Sequence, residues 1–244
     1  TAAEEMATKA VSVLITGANR GLGLEMVKQL VEASRDVRKL FACCRDPDGP
    51  RAEVRPRFLC DSSCSSTDTR TDGRQWSQVG SVVGTGGLNL LINNAAVAVR
   101  TTMQETTPEE LQHMFSTNVM GPMNIIKEFL PHLRAAAKAA IVNISSILGS
   151  IEGAKESYAT YPCFSYRVSK AALNMLTLCA SEELKKDEIL LSVLHPGWVR
   201  TDMGGEEGEI DATESVRGLL GVMASLTEKQ NGGFLDWKGR SIPW

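Results

Sequence analysis

The sequence predicts an α/β fold in which a doubly wound parallel sheet carries helices on both faces, and three observations predict it. Short apolar runs alternate with amphipathic segments along most of the chain, the pattern of strand, helix, strand units with parallel strands. The strand-like runs are apolar throughout rather than at every second position, as strands buried on both faces are. A glycine cluster follows the first run and opens the first helical segment, where backbone N–H groups can face a phosphate. At 244 residues one domain spanning 1–244 is expected.

Taken in order, residues 11–16 read as a strand that ends in Gly17, Gly21 and Gly23, after which Leu22, Met26 and Leu30 recur at helical spacing. Residues 39–44 make a second strand and 88–93 a third, followed by a helical segment through Leu111, Met114 and Phe115. Residues 139–144 are again a strand. From Val168, the residues Ala172, Met175 and Cys179 hold one face of a long helix; residues 190–194 then give a strand and 214–226 a last amphipathic helix. Segment 51–87 breaks the pattern. It is rich in Arg, Ser, Thr, Asp and Gly, with 57–60 a weak strand candidate and no convincing helix. An irregular or mobile excursion, or a diverged stretch, is expected there.

The composition is 43% hydrophobic and 23% charged with a formal net charge of -3, which offers nucleic acid no basic surface. No apolar run approaches the roughly 20 residues of a membrane helix, and residues 1–10 lack a signal-peptide plan, so a cytoplasmic protein is expected. The six cysteines are Cys43, Cys44, Cys60, Cys64, Cys163 and Cys179. Buried free thiols are expected. Cys60 and Cys64 have no second pair at ligand spacing, so no metal site is expected.

The chemistry-bearing positions start at the glycine turn. Gly17 allows the turn, while Gly21 and Gly23 allow close approach of a dinucleotide pyrophosphate, although the spacing departs from Gly-x-Gly-x-x-Gly. The second strand ends at Arg45, and Arg20 precedes Gly21; together they favour the 2'-phosphate of NADP, unless both are solvated surface residues. Tyr166 and Lys170 lie four residues apart and so share one helix face. A free tyrosine is phenolate for on the order of one part in a thousand at neutral pH, and a neighbouring ammonium is expected to lower its pKa. Tyr158 and Tyr161 have Pro162 and Ser165 four positions on, so Tyr166 alone has its lysine.

Thr16-Gly-x-x-x-Gly-x-Gly23, Asn93-Asn-Ala-Ala96, Asn118, Ser145-Ser146, Tyr166-x-x-x-Lys170 and Pro196-Gly-Trp-Val-Arg-Thr201 together resemble the short-chain dehydrogenase/reductases in the family's order. The resemblance covers nearly the whole chain, and residues 165–177, 194–205 and 234–244 are most similar to sniffer-type carbonyl reductases. It implies a single Rossmann-like domain that reduces a ketone, aldehyde or quinone carbonyl with NADPH, and a small-molecule carbonyl, not nucleic acid or membrane, as partner, with a homodimer as the assembly. By this resemblance Tyr166 donates the proton, Ser146 hydrogen-bonds the substrate oxygen, Lys170 tunes the tyrosine and holds the nicotinamide ribose, and Asn118 supports a relay water. Adjacent strand residues point to opposite faces, so only one of Ser145 and Ser146 can reach the site. The resemblance assigns Gly17, Asn19, Arg20, Gly21, Leu22, Gly23 and Arg45 to the cofactor, Asp61 to adenine, Asn93 and Ala95 to the adenosine side, Pro196, Gly197 and Val199 to the nicotinamide, and Thr201 to its carboxamide or the phosphates. Asn93 could instead stabilise the sheet, Thr201 could cap the next segment, and His195 reads as structural.

Three departures stand out. Ala96 replaces a usual glycine, Ser146 and Tyr166 are 20 positions apart because of an insertion over 151–163, and 51–87 lacks the family's strand and helix. The insertion is expected to shape the substrate mouth. The competing reading, from a different class, is a dinucleotide-binding redox sensor or interaction protein with little catalysis.

Overall fold

The computed structural model describes residues 12–33, 37, 39–44 and 82–244. Arg45, Asp61, Cys60, Cys64, the strand candidate 57–60 and all of 51–87 before Val82 lie outside the described residues. Six strands, β1 (Ser12–Thr16), β2 (Lys39–Cys43), β3 (Leu90–Asn93), β4 (Ala139–Ile144), β5 (Ile189–His195) and β6 (Phe234–Asp236), form one sheet in the order β2-β1-β3-β4-β5-β6. Every pairing is parallel. The helices are α1 (Gly21–Ala33), α2 (Pro108–Phe115), α3 (Gly121–Ala135), α4 (Ala154–Ser157), α5 (Phe164–Leu184) and α6 (Ala212–Ser225).

Alternate residues of the strands feed two cores. Leu14, Leu91, Ile141 and Leu191 pack with Phe129 and Leu133 of α3 and Leu184 of α5. Val13, Ile15, Ile92, Val142 and Leu194 pack on the other side with Met26 of α1 and Val216 and Leu219 of α6. Strands apolar at every position are what such two-sided burial requires. Because all six strands run the same way, the turns after β1, β3, β4 and β5 gather at one edge, and the strand order reverses between β1 and β3. A crevice opens at that reversal. Among the described residues no helix is long and apolar enough to cross a membrane.

Two elements escape the sequence pattern. Helix α3 begins at Gly121-Pro122 and contains Pro131, residues that read as breakers; Pro122, however, occupies the first turn, where no N–H bond is lost. Strand β6 is only three residues long. The face of α5 marked by apolar spacing is not the buried one. Val168, Met175 and Cys179 are exposed, and the buried face is Ser165, Arg167, Ser169, Lys170, Leu173, Asn174, Thr177, Ser181 and Leu184. Polar side chains face inward because this helix covers the polar ends of the strands. The described cysteines divide likewise: Cys43 and Cys163 are buried and Cys44 is half-buried, while Cys179 is at the surface.

Candidate active site

The glycine turn is stitched to its neighbours before any ligand enters. Thr16 Oγ1 accepts from Asn94 N–H at 3.0 Å and Ala95 N–H at 3.1 Å. Asn94 Nδ2 donates back to Thr16 O at 3.0 Å and Gly17 O at 3.2 Å. Gly17 and Gly21 take left-handed backbone, with φ of 65° and 52°. A Cβ on Gly17 would lie 2.9 Å from Ala95 Cα, and one on Gly23 would lie 2.2 Å from Gly17 O. The turn is therefore folded tightly on itself, with Asn19 half-buried and Arg20 and Gly21 exposed at its lip. Such a cradle at the start of α1 fits a pyrophosphate. Leu22, in the first turn of α1, is half-buried and packs against the core. Ala96 needs no strain, since Glu188 is the one non-glycine with positive φ among the described residues.

The loop after β5 closes the other side of the crevice. Gly197 has φ of 85°, and a Cβ there would meet Ile210 Cδ1 at 2.7 Å and Trp237 Nε1 at 3.0 Å. Ser215 Oγ of α6 donates to Pro196 O at 2.6 Å, and Val199 is buried beside Ile210. Thr201 does two things. Its Oγ1 accepts from Gly204 N–H at 3.1 Å, capping the following turn, while its Cγ2 sits 3.7 Å from where a Gly21 Cβ would be. Arg20 Nη1 meets Asp202 Oδ2 at 3.2 Å, with both side chains exposed. A solvated pair of this kind contributes roughly 0–1 kcal/mol, too little to withhold Arg20 from a phosphate.

Asn93 is 2% exposed, and its Nδ2 donates to Asn143 Oδ1 at 2.8 Å, a bond that stabilises the sheet, while its Oδ1 has no partner among the described residues. Asn143 Nδ2 passes the bond on to Thr177 Oγ1 of α5 at 2.7 Å. The pair Ser145-Ser146 divides as strand geometry requires: Ser145 Oγ donates to Asn174 Oδ1 at 2.7 Å, and Ser146 is hydrogen-bonded to the Tyr166 hydroxyl.

Tyr166 stands in the first turn of α5, whose start lacks a side-chain cap of its own. It is tied instead to the region of α2: Thr101 O accepts from Phe164 N–H at 2.9 Å, and Glu110 Oε1 of α2 accepts from Ser165 Oγ at 2.6 Å. Lys170 is 2% exposed. Its Nζ donates to Ile144 O at 2.8 Å and lies 5.6 Å from the centre of the Tyr166 ring. Burial brings its pKa down to about 7. The expected depression of the tyrosine is reversed: burial pushes Tyr166 up to about 12, and the hydrogen bond with Ser146 acts against that rise. Both groups are desolvated, so each favours its neutral form. The proton sits on the tyrosine.

Asn118 lies in a π-helical turn, Ser116–Met120, between α2 and α3. Its Oδ1 accepts from Val97 N–H at 3.0 Å, and its Nδ2 donates to Val97 O at 2.9 Å and Ser169 Oγ at 3.0 Å. The amide is thus committed to the chain, and here Asn118 positions the loop after β3 against α5. His195 is half-buried at the end of β5. Burial lowers its pKa to about 4, with Asp236 acting the other way. Among the described residues its Nδ1 has no partner.

Arg167 adjoins Tyr166 but carries no signal of its own in the sequence. It is buried, with Nε donating to Tyr161 O at 3.0 Å, Nη1 and Nη2 to Ser157 Oγ at 3.1 Å, and the guanidinium 5.6 Å from the Tyr158 ring centre. One cation therefore fastens the insertion to α5. Tyr161 then meets Trp198 edge to face at 5.5 Å, and Val99, Met103, Ile147, Ile151 and Met203 are exposed on the loops at the same edge of the sheet. The side chains gathered there are mostly apolar and aromatic, with the Arg100 guanidinium 5.8 Å from the Tyr161 ring centre.

A six-stranded parallel sheet with a glycine cradle and a Ser, Tyr, Lys set at its C-terminal edge defines a class of dinucleotide-dependent oxidoreductases. The short chain dehydrogenase family matches residues 11–211, and this chain belongs to that family. Among solved structures, an NADPH-bound carbonyl reductase from chicken fatty liver is 40% identical with a TM-score of 0.91, over 97% of this chain and 100% of that one. Carbonyl reductase Sniffer of D. melanogaster is 34% identical with a TM-score of 0.89, over 96% and 99%. C-signal of Myxococcus xanthus is 36% identical over 161 residues, 66% of this chain and 95% of that protein.

Proposed function

We propose that this short-chain dehydrogenase is an NADPH-dependent carbonyl reductase acting on ketones, aldehydes or quinones, with Tyr166 as proton donor. The observation that carries the proposal is the set of buried Ser146 and Lys170 with half-buried Tyr166 at the crevice edge, the tyrosine held protonated. Reduction needs a donor that begins with its proton in place. The glycine turn, Arg20 and Thr201 would hold NADPH, which supplies the hydride when bound. As negative charge grows on the substrate oxygen, the Ser146 and Tyr166 hydroxyls both point donors at it in a water-poor site, which favours the transition state over the ground state. An alkoxide is far more basic than a phenolate, so the raised pKa of Tyr166 leaves the transfer downhill. Lys170, neutral and charged forms comparably populated near neutral pH, can then return a proton to the phenolate.

The solved NADPH-bound carbonyl reductase, 40% identical, supports NADP as the cofactor, and the mostly apolar, aromatic mouth supports a flat or extended apolar carbonyl. The sensor reading is disfavoured by Lys170, because a buried lysine with no carboxylate partner among the described residues is costly to keep in a protein that moves no proton. A homodimer is retained as part of the proposal. Phe115, Met120, Val168 and Met175 are apolar and exposed on adjoining elements, which favours a second copy covering them.

Purified protein is expected to oxidise NADPH with small quinones, aldehydes or ketones. Tyr166→Phe is expected to abolish turnover while leaving NADPH binding, read by tryptophan quenching, nearly intact. Turnover that survives the substitution removes Tyr166 from its role.

A further inference from the structure

Ser146 lies just beyond the end of β4, outside the strand ladder. The residues on either side of it are fixed by α5. Ser145 Oγ donates to Asn174 Oδ1 at 2.7 Å, and Asn174 Nδ2 donates to Gly149 O at 3.3 Å. Gly149 N–H in turn donates to Ser146 O at 2.9 Å. The loop lies so close on the helix that a Cβ on Gly149 would stand 2.9 Å from the Lys170 backbone carbon. One turn earlier on the same helix face, Lys170 Nζ grips Ile144 O at 2.8 Å. Positions 166, 170 and 174 follow one another at four-residue spacing, so they line one stripe of α5. Asn174 is 3% exposed, with its acceptor and one donor aimed at the two sides of the serine loop.

We propose that Asn174 is a positioning residue for the reaction: its amide clamps both sides of Ser146 onto the helix that carries Tyr166, and so fixes the distance between the two hydroxyls. The proposal rests on the roles of Ser146 and Tyr166 given above. Asn174 reaches neither substrate nor cofactor and acts through Ser146. Loss of the clamp frees residues 145–149 to shift, and a shift of the order of 1 Å in a reacting group costs roughly 100-fold in rate. It also weakens the Ser146 hydrogen bond that opposes the upward push of burial on Tyr166, so the tyrosine should titrate at still higher pH.

The test is a double-mutant cycle on the full chain, read as kcat for NADPH-dependent reduction of a quinone. Asn174→Leu is expected to lower kcat roughly 10- to 100-fold, with the NADPH dissociation constant changed less than about threefold because the glycine cradle is untouched. The KM for the quinone should change less than kcat, since Asn174 touches neither substrate nor cofactor. In a Ser146→Ala background the same substitution should have little further effect. An equal loss in both backgrounds overturns the proposal, since it would make Asn174 a general stabiliser of the fold. If Ser146→Ala alone leaves kcat unchanged, the catalytic reading of Ser146 fails instead, and the two failures are told apart. Ser145→Ala removes one hydroxyl from the clamp and carries the same cycle if Asn174→Leu does not fold: a smaller loss of kcat that vanishes in the Ser146→Ala background supports the clamp, and a loss independent of Ser146 refutes it.

Discussion

Adding a single methyl group at Gly23 and at Gly21 separates two things a glycine can do in the cofactor turn. At Gly23 the new Cβ would lie 2.2 Å from Gly17 O, 2.8 Å from Gly17 C and 2.7 Å from Asn94 Nδ2, where ordinary contact begins at 3.4 Å. The obstacles are backbone, and an amide that itself holds Thr16 O and Gly17 O, so no side chain can swing aside. The turn must open by more than 1 Å. Overpacking typically costs about 1–3 kcal/mol, and disturbing the Asn94 bonds adds about 1 kcal/mol. Gly23→Ala should therefore lose roughly 2–4 kcal/mol and about 5–15 °C in Tm. At Gly21 the nearest atom is the Thr201 methyl at 3.7 Å, with φ of 52°. Strain is then the only stability cost, roughly 1–2 kcal/mol or about 2–8 °C, but the methyl enters the crevice between the turn and Thr201. Gly21→Ala should bind NADPH worse while staying folded, and Gly23→Ala should fail in both respects. Thermal melts followed by circular dichroism, with NADPH titrated by tryptophan quenching, measure the two effects. A Gly23→Ala protein that melts with the wild type, or a Gly21→Ala protein that melts below the Gly23→Ala protein, would refute the geometry of the cradle.

Two further outcomes are expected. His195 is held at about 4 against an ordinary 6.5, chiefly by burial, so between those values the unfolded chain binds a proton that the folded chain does not. Stability is therefore lost as pH falls from 6.5 towards 4, by at most about 3 kcal/mol from this group. His195→Gln should flatten that part of the curve in urea unfolding at several pH values, and parallel curves for the two proteins would exclude the effect. For the assembly, light scattering should give twice the chain mass, and Val168→Asp combined with Met175→Lys should halve it without loss of helix. A wild-type monomer ends that proposal.

Much of this is legible in the chain because the fold forces local signatures. The runs 11–16, 39–44 and 139–144 are apolar at nearly every position since both cores draw on them, and the glycines mark left-handed backbone and close approach that no other residue supplies. Ser146, Tyr166 and Lys170 can be found from spacing and family order. Asn93 shows the limit: its place in the motif is the same whether its amide faces a nucleotide or Asn143, and only the fold decides. The direction of the Tyr166 shift escapes the sequence for a related reason. Spacing says that a lysine is near, but not that it is 2% exposed and therefore half-neutral, so the Coulomb help expected for the phenolate is reduced while the cost of burial is not.

Helix α5 carries the most general of these lessons. Apolar periodicity picks out the face with Ala172, Met175 and Cys179, and the structure leaves Met175 and Cys179 exposed. The inward face must meet Asn143, Ile144 O, Ser145 and Gly149 O at the strand ends, and apolar side chains there would leave buried polar groups without partners at roughly 1–3 kcal/mol each. Serine, lysine, asparagine and threonine are thus the residues this position selects. The same polar stripe holds Ser146, Tyr166 and Lys170 in register. Around Tyr166 and Lys170 this helix turns polar side chains towards the sheet while Leu173 and Leu184 stay in the core, and that polar stripe marks where the chemistry is built.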